Sequence, residues 1–111
     1  MTSLKNSVQL IGRLGNDPQI RSFESGKQMA TFSLATNESY YNNKGEKVND
    51  TQWHNIIVWG KKAQVVDDYL KKGSEIALEG KLVNRSYEKE GEKKFVTEIV
   101  MNELLMIDKK A

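Results

Sequence analysis

The chain contains no cysteine, one proline and one histidine among its 111 residues. Without cysteine there is no disulfide framework, no thiolate nucleophile and no cysteine metal site. The lone His54 leaves no second imidazole for a zinc site, and a single strand histidine is more often structural than catalytic. No P-loop sequence is present, and no apolar run approaches the length needed to span a bilayer. The opening "MTSLKNSVQLIGRLGND" lacks the apolar core and cleavage site of a signal peptide. Charge of one sign is scarce too. The 17 Lys and Arg against 15 Asp and Glu give a formal charge of only +2, so local placement of the cations must decide any affinity for a polyanion. These absences argue against an enzyme and against a cofactor or metal ion. They suit a protein of a reducing cytoplasm.

What remains is the composition of a folded domain, with 38% hydrophobic and 29% charged residues, and a length that suits one domain over residues 1–111 with a modest core. "SVQLIGRLG" alternates as a strand ending at Gly15, and "GNDP" is turn chemistry. "QIRSF" is a possible short strand closed by the turn "ESGK", and "MATFSLATNE" is the second long strand. "SYYNNKGEKVND" is polar and turn-rich, which predicts a long loop or hairpin tip. A strand through Ile56, Ile57 and Val58 follows.

The period then changes: "KKAQVVDDYLKKG" places Ala63, Val66, Tyr69 and Leu70 on one helical face, with Gly73 at the C-cap and Lys71 and Lys72 at the negative helix end. "SEIALEGKLVNRSY" resumes alternation, "EKEGEKK" is a charged turn around Gly91, and "FVTEIVMNELLMI" is the last strand. Five strands with one short helix between the third and fourth is the order of an all-β OB-fold, a five-stranded Greek-key barrel. A five-stranded open sheet with a covering helix has the same order, and spacing does not separate the two.

Two stretches carry candidate chemistry. "IGRLGND" has the spacing of a KH-type phosphate clamp, but that motif joins helices, whereas a strand precedes it here. Gly12 therefore reads as a strand glycine at a bulge or barrel bend, and Gly15 as a turn residue. "NDTQWHNIIVWG" holds both tryptophans; Trp53, Ile57 and Trp59 share one strand face and His54 the other. That face is either core or a platform for flat ligands. Tyr40 and Tyr41 lie in the polar stretch, and Tyr87 enters the charged turn beside Arg85 and Lys89. Basic residues accompany the aromatics: Lys44 and Lys47 in the loop, Lys61 and Lys62 after Trp59, and Lys93 and Lys94 before Phe95. Aromatic platforms with interleaved cations are how single-stranded nucleic acid is held. The residues alone leave this reading level with a structural one.

"GRLGNDPQIR", "FSLATNES" and above all "TQWHNIIVWGKKAQVVDDYLKKGSEIALEGKL" resemble the bacterial single-stranded DNA-binding protein family, over about Val8 to Met106. The resemblance implies an OB-fold, a homotetramer and non-catalytic, sequence-independent coating of single-stranded DNA in replication, recombination and repair, in the cytoplasm and with the nucleoid. It implies base stacking at Trp53, Trp59, Tyr40 and Tyr87, with Phe95 added from its basic surroundings, and phosphate contacts at Lys61, Lys72 and Arg85. Lys44, Lys47 and Lys62 join that cationic set by their placement. It also implies a subunit contact at His54. Family members often carry tryptophan at the positions of Tyr40 and Tyr87, and phenylalanine at that of Trp59, so the share of binding energy at each site differs here. They usually continue into a flexible linker and an acidic tip, whereas this sequence reads "MIDKKA" at its end, so tail-mediated recruitment of replication and repair proteins is not expected. The competing functions are a primosome-type OB-fold docking protein with secondary DNA binding, and an OB-fold enzyme or oligosaccharide binder supported by fold analogy alone.

Overall fold

The computed structural model describes residues 5–107, so the C-terminal expectation on Asp108 to Ala111 lies outside the described residues. The elements are β1 (Val8–Leu14), β2 (Gln19–Ser22), β3 (Gln28–Tyr41), β4 (Lys47–Trp59), α1 (Lys61–Tyr69), β5 (Glu75–Lys89) and β6 (Glu92–Met106). The long strands form the ring β1-β5-β6-β4-β3, which closes where Arg13 meets Ala35 and Leu14 meets Leu34 across β1 and β3. This closure decides for the OB barrel over the open sheet. The β4–β6 contact is parallel, at Ile56↔Ile99 and Ile57↔Val100, and the other pairings are antiparallel. The short β2 lies outside the ring, paired with β3.

Alternation fills the barrel. Phe32, Leu34, Ile56, Val58, Ile76, Leu78, Ile99 and Met101 point inward and are buried. Burying a side chain of this size stabilises by about 1.5–3 kcal/mol, so the strand core is the main source of stability. Helix α1 closes one end with Ala63, Val66 and, just past its terminus, Leu70. Gly12 sits at the seam because a Cβ there would collide with the carbonyl of Ala35. The β5–β6 ladder shifts register elsewhere, between the rungs Glu79↔Glu103 and Gly80↔Met101, where Asn102 of β6 is the extra residue.

The sequence-based elements need three corrections. The helix ends at Tyr69, and Leu70 is already extended at φ −105° and ψ 145°. Tyr69 is therefore exposed at the edge of the apolar stripe, and Lys71 and Lys72 lie beyond the last turn instead of complementing it. Gly73, at φ 90°, belongs to the following turn, where its N–H donates to the Leu14 carbonyl at 2.8 Å.

Of the two readings of Ser39 to Asp50, the hairpin tip is the one found, and most of it is strand. The β3–β4 ladder runs unbroken from Met29↔Trp59 to Tyr41↔Lys47. Only the tip turns, with the Asn42 side-chain oxygen accepting from the N–H groups of Lys44 (2.9 Å) and Glu46 (3.0 Å). Likewise the β5–β6 turn shrinks to Glu90 and Gly91, both at positive φ (53° and 80°), as a two-residue type I′ hairpin requires. Backbone pairing extends both hairpins past the core, where side chains on both faces meet water and no hydrophobic alternation marks the strand. The two arms raise the radius of gyration to 16.1 Å, against about 13 Å for a compact chain of this length.

Candidate nucleic-acid interface

Trp53 and Trp59 lie on the outer face of β4, opposite in direction to the buried Ile56 and Val58. They are 62% and 45% exposed, so the core reading of that face fails for both indoles. Six residues of strand separate them by about 20 Å. Between them lie the rungs Thr31↔Ile57 and Ser33↔Asn55, and a shallow groove there also takes in Asn16, Gln19 and Glu98.

The loop after β1 supports Trp53. The Asn16 side-chain oxygen accepts from both the Ser33 N–H (2.9 Å) and the Ser33 hydroxyl (2.8 Å), while the Gly15 N–H donates to the Ser33 carbonyl at 2.9 Å. Gly15 is thereby placed directly beneath the Trp53 ring. Trp59 is supported differently, by a stacked Phe23 whose ring centroid is 5.9 Å away. Phe23 is a site residue that the sequence reading missed. No local signal marks it, because its neighbour in space is set by the β2–β3–β4 register.

The parallel β4–β6 pairing extends this face across the barrel. Glu98 and Val100 of β6 point the same way, and the rungs Val83↔Glu98, Arg85↔Val96 and Tyr87↔Lys94 carry it onto the second arm. Arg85 and Tyr87 therefore share the tryptophan face by strand parity. Phe95 takes the opposite parity, exposed, with Lys93 Nζ 5.5 Å from its ring centroid. On the first arm Tyr41, opposite Lys47, has the parity of Trp53, and Tyr40, opposite Val48, has the other; both rings are exposed.

The cations divide into groups. Lys44 and Lys47 are on the first arm, and Lys61 and Lys62 open α1, separated from Trp59 by Gly60 alone. Lys72 lies in the turn after α1, where its N–H donates to Asp17 Oδ1 at 2.8 Å, so it sits beside the loop under Trp53. Arg85 is not free: Nε donates to Glu98 Oε1 at 2.7 Å and Nη2 to Oε2 at 3.0 Å. Hydrogen bonding to Glu98 first, and its charge second, raise the Arg85 pKa further above its ordinary value. Glu98 is almost buried, so the pair places a fixed carboxylate on the face. His54 is half-buried on the other parity, with Nε2 3.0 Å from Thr36 Oγ1. Among the described residues no group of three or more His, Cys, Asp or Glu could hold a metal, and no helix is long and apolar enough to cross a membrane.

The sequence model of the Single-strand binding protein family matches residues 5–107. The chain belongs to that family. Its relatives include single-stranded DNA-binding protein 1 of Chlorobaculum tepidum, 44% identical over 95% of this chain and 66% of that protein. The single-stranded DNA-binding protein of Neisseria meningitidis is 42% identical over 92% of this chain and 59% of its own length. The chain thus spans about three-fifths to two-thirds of these two family members. A Plasmodium falciparum SSB solved in complex with ssDNA superposes with a TM-score of 0.87 at 35% identity, covering 97% of this chain and 98% of that one. The family fold is the OB barrel described above.

Proposed function

We propose that the chain is a non-catalytic, sequence-independent binder of single-stranded DNA that shields exposed strands in replication, recombination and repair. The observation that carries the reading is the pair of exposed indoles on one barrel face, each braced from within the protein and separated by a shallow groove. Bases stack on Trp53 and Trp59, and the strand continues over Tyr87 of one arm and Tyr41 of the other, wrapping past the arm edges to reach Tyr40 and Phe95 on the reverse faces. Every base has a π-face, so stacking tolerates any sequence. Lys44, Lys47, Lys61, Lys62, Lys72 and the outer edge of Arg85 meet phosphates. The similarity to named single-stranded DNA-binding proteins supports the same reading. A location with the nucleoid in the cytoplasm, where such a partner is exposed, is part of the proposal.

A homotetramer is part of the proposal. Across β1, β5 and β6 the outward rung Ile11↔Ala77↔Leu105 leaves Ile11 63% and Leu105 66% exposed, an apolar strip of the kind that marks association. β1 meets β3 only at Arg13 and Leu14, so the other edge of Val8 to Gly12 has no strand partner among the described residues. Unpaired edges invite pairing with another chain. His54, facing away from the DNA side, is assigned to the subunit boundary.

Titration with oligo(dT) and with matched duplex DNA, followed by tryptophan emission, tests the reading. Tight binding with single-strand preference is the expected result. Weak binding would favour a docking protein for which DNA is secondary, and no binding would end the reading.

A further inference from the structure

We propose that Phe23 is a positioning residue of this face: it backs one side of the Trp59 indole so that the other side is presented to a nucleobase. The inference rests on the single-stranded DNA reading above. The two rings are 5.9 Å apart between centroids and inclined by 29°, within the range of offset aromatic pairs. Phe23 remains 39% exposed and Trp59 45%, so the contact leaves part of each ring in solvent.

An unsupported indole on an outward strand position samples several rotamers, and stacking a base would have to restrict them. Contact with Phe23 restricts them before DNA arrives. The hairpin that carries Phe23 is itself fixed. The Phe23 N–H donates to the Lys27 carbonyl and the Gly26 N–H to the Phe23 carbonyl, each at 2.9 Å. At its far end the Gly60 N–H donates to the Gln28 carbonyl at 2.9 Å, tying the hairpin to the residue after Trp59. The register Arg21↔Met29 and Met29↔Trp59 then sets β2, β3 and the indole side by side. The short β2, which adds nothing to barrel closure, thus has a use: it delivers an aromatic brace to the second platform.

The test compares oligo(dT) affinity for the unmutated protein, Phe23→Ala, Trp59→Ala and the double variant. Phe23→Ala should weaken binding by about three- to tenfold, the scale of a lost aromatic pair. The same change should cost less than about twofold once Trp59 is already Ala, because a residue acting through another is non-additive with it. Phe23→Tyr should restore affinity and Phe23→Leu should not. In a Trp53→Phe protein without DNA, Phe23→Ala should also lower the fluorescence anisotropy of Trp59. Unchanged affinity in Phe23→Ala, an equal loss with and without Trp59, or unchanged anisotropy would each overturn the inference. Failure of the unmutated protein to bind oligo(dT) would overturn the DNA reading instead, and the anisotropy would still decide whether Phe23 holds the indole.

Discussion

The indole of Trp53 lies against the bare backbone of Gly15, so closely that a methyl group on Gly15 would overlap the ring at Cζ3 and come within 2.8 Å of Ser33 Oγ. Any side chain at position 15 must push the ring outward or pull the loop from β3. Gly15→Ala should therefore weaken single-stranded DNA binding by about 1 kcal/mol or more, towards the lower end of a lost stacking contact. In a Trp59→Phe background it should also shift Trp53 emission. Affinity and emission both unchanged would show that the ring does not depend on this seat.

Binding of single-stranded DNA should quench most of the tryptophan emission, since both indoles occupy the proposed stacking face. Trp53→Ala and Trp59→Ala should each weaken binding by about 1–3 kcal/mol. A folded double variant that binds as tightly as the unmutated protein would remove both residues from the interface.

Affinity should fall as salt rises, with a slope of about −0.7 per phosphate neutralised. Glu98→Gln should strengthen binding and steepen that slope, because Arg85, now shared with the Glu98 carboxylate at 2.7 and 3.0 Å, would meet phosphate with its charge uncompensated. Titrations from low to physiological salt measure both effects. A flat salt dependence in the unmutated protein would argue against the cationic path, and a slope unchanged in Glu98→Gln would assign Arg85 a purely structural role.

Without DNA the protein should be a homotetramer by light scattering at micromolar concentration. Replacing His54 by a bulkier or charged residue should loosen the assembly while far-ultraviolet circular dichroism stays native. Leu105→Glu should do the same by charging the apolar strip across β1, β5 and β6. A monomer before any substitution would end this part of the proposal.

Where alternation or helical period met the core, the sequence was legible. The inward rows of β3 and β5, the stripe of Ala63, Val66 and Leu70, and the turn after Phe23 all follow from residue order. The arms were not legible as strands. Apart from Tyr40, Tyr41 and Val48, Ser39 to Asp50 and Glu88 to Lys94 are polar, and only backbone pairing, which composition does not encode, extends the ladders through them. Tyr69 failed because the helix stops at that residue, turning a stripe-edge position to solvent.

For the candidate site, the sequence by itself determined that Trp53 and Trp59 share a face and that His54 lies on the other, because side-chain direction in a strand alternates locally. It also determined which aromatics have cations beside them in the chain. Whether the tryptophan face was core or surface was left to the barrel. Closure through β1 and β3 fills the inside with Leu34, Ile56 and Val58 and leaves the indoles outside. The partners of those residues were likewise tertiary facts. Gly15 reaches Trp53 through the clip to Ser33, Phe23 reaches Trp59 through two strand registers, and Glu98 takes Arg85 from thirteen residues away. Each joins residues distant in sequence, and the pattern within one strand says nothing about which strand lies beside it.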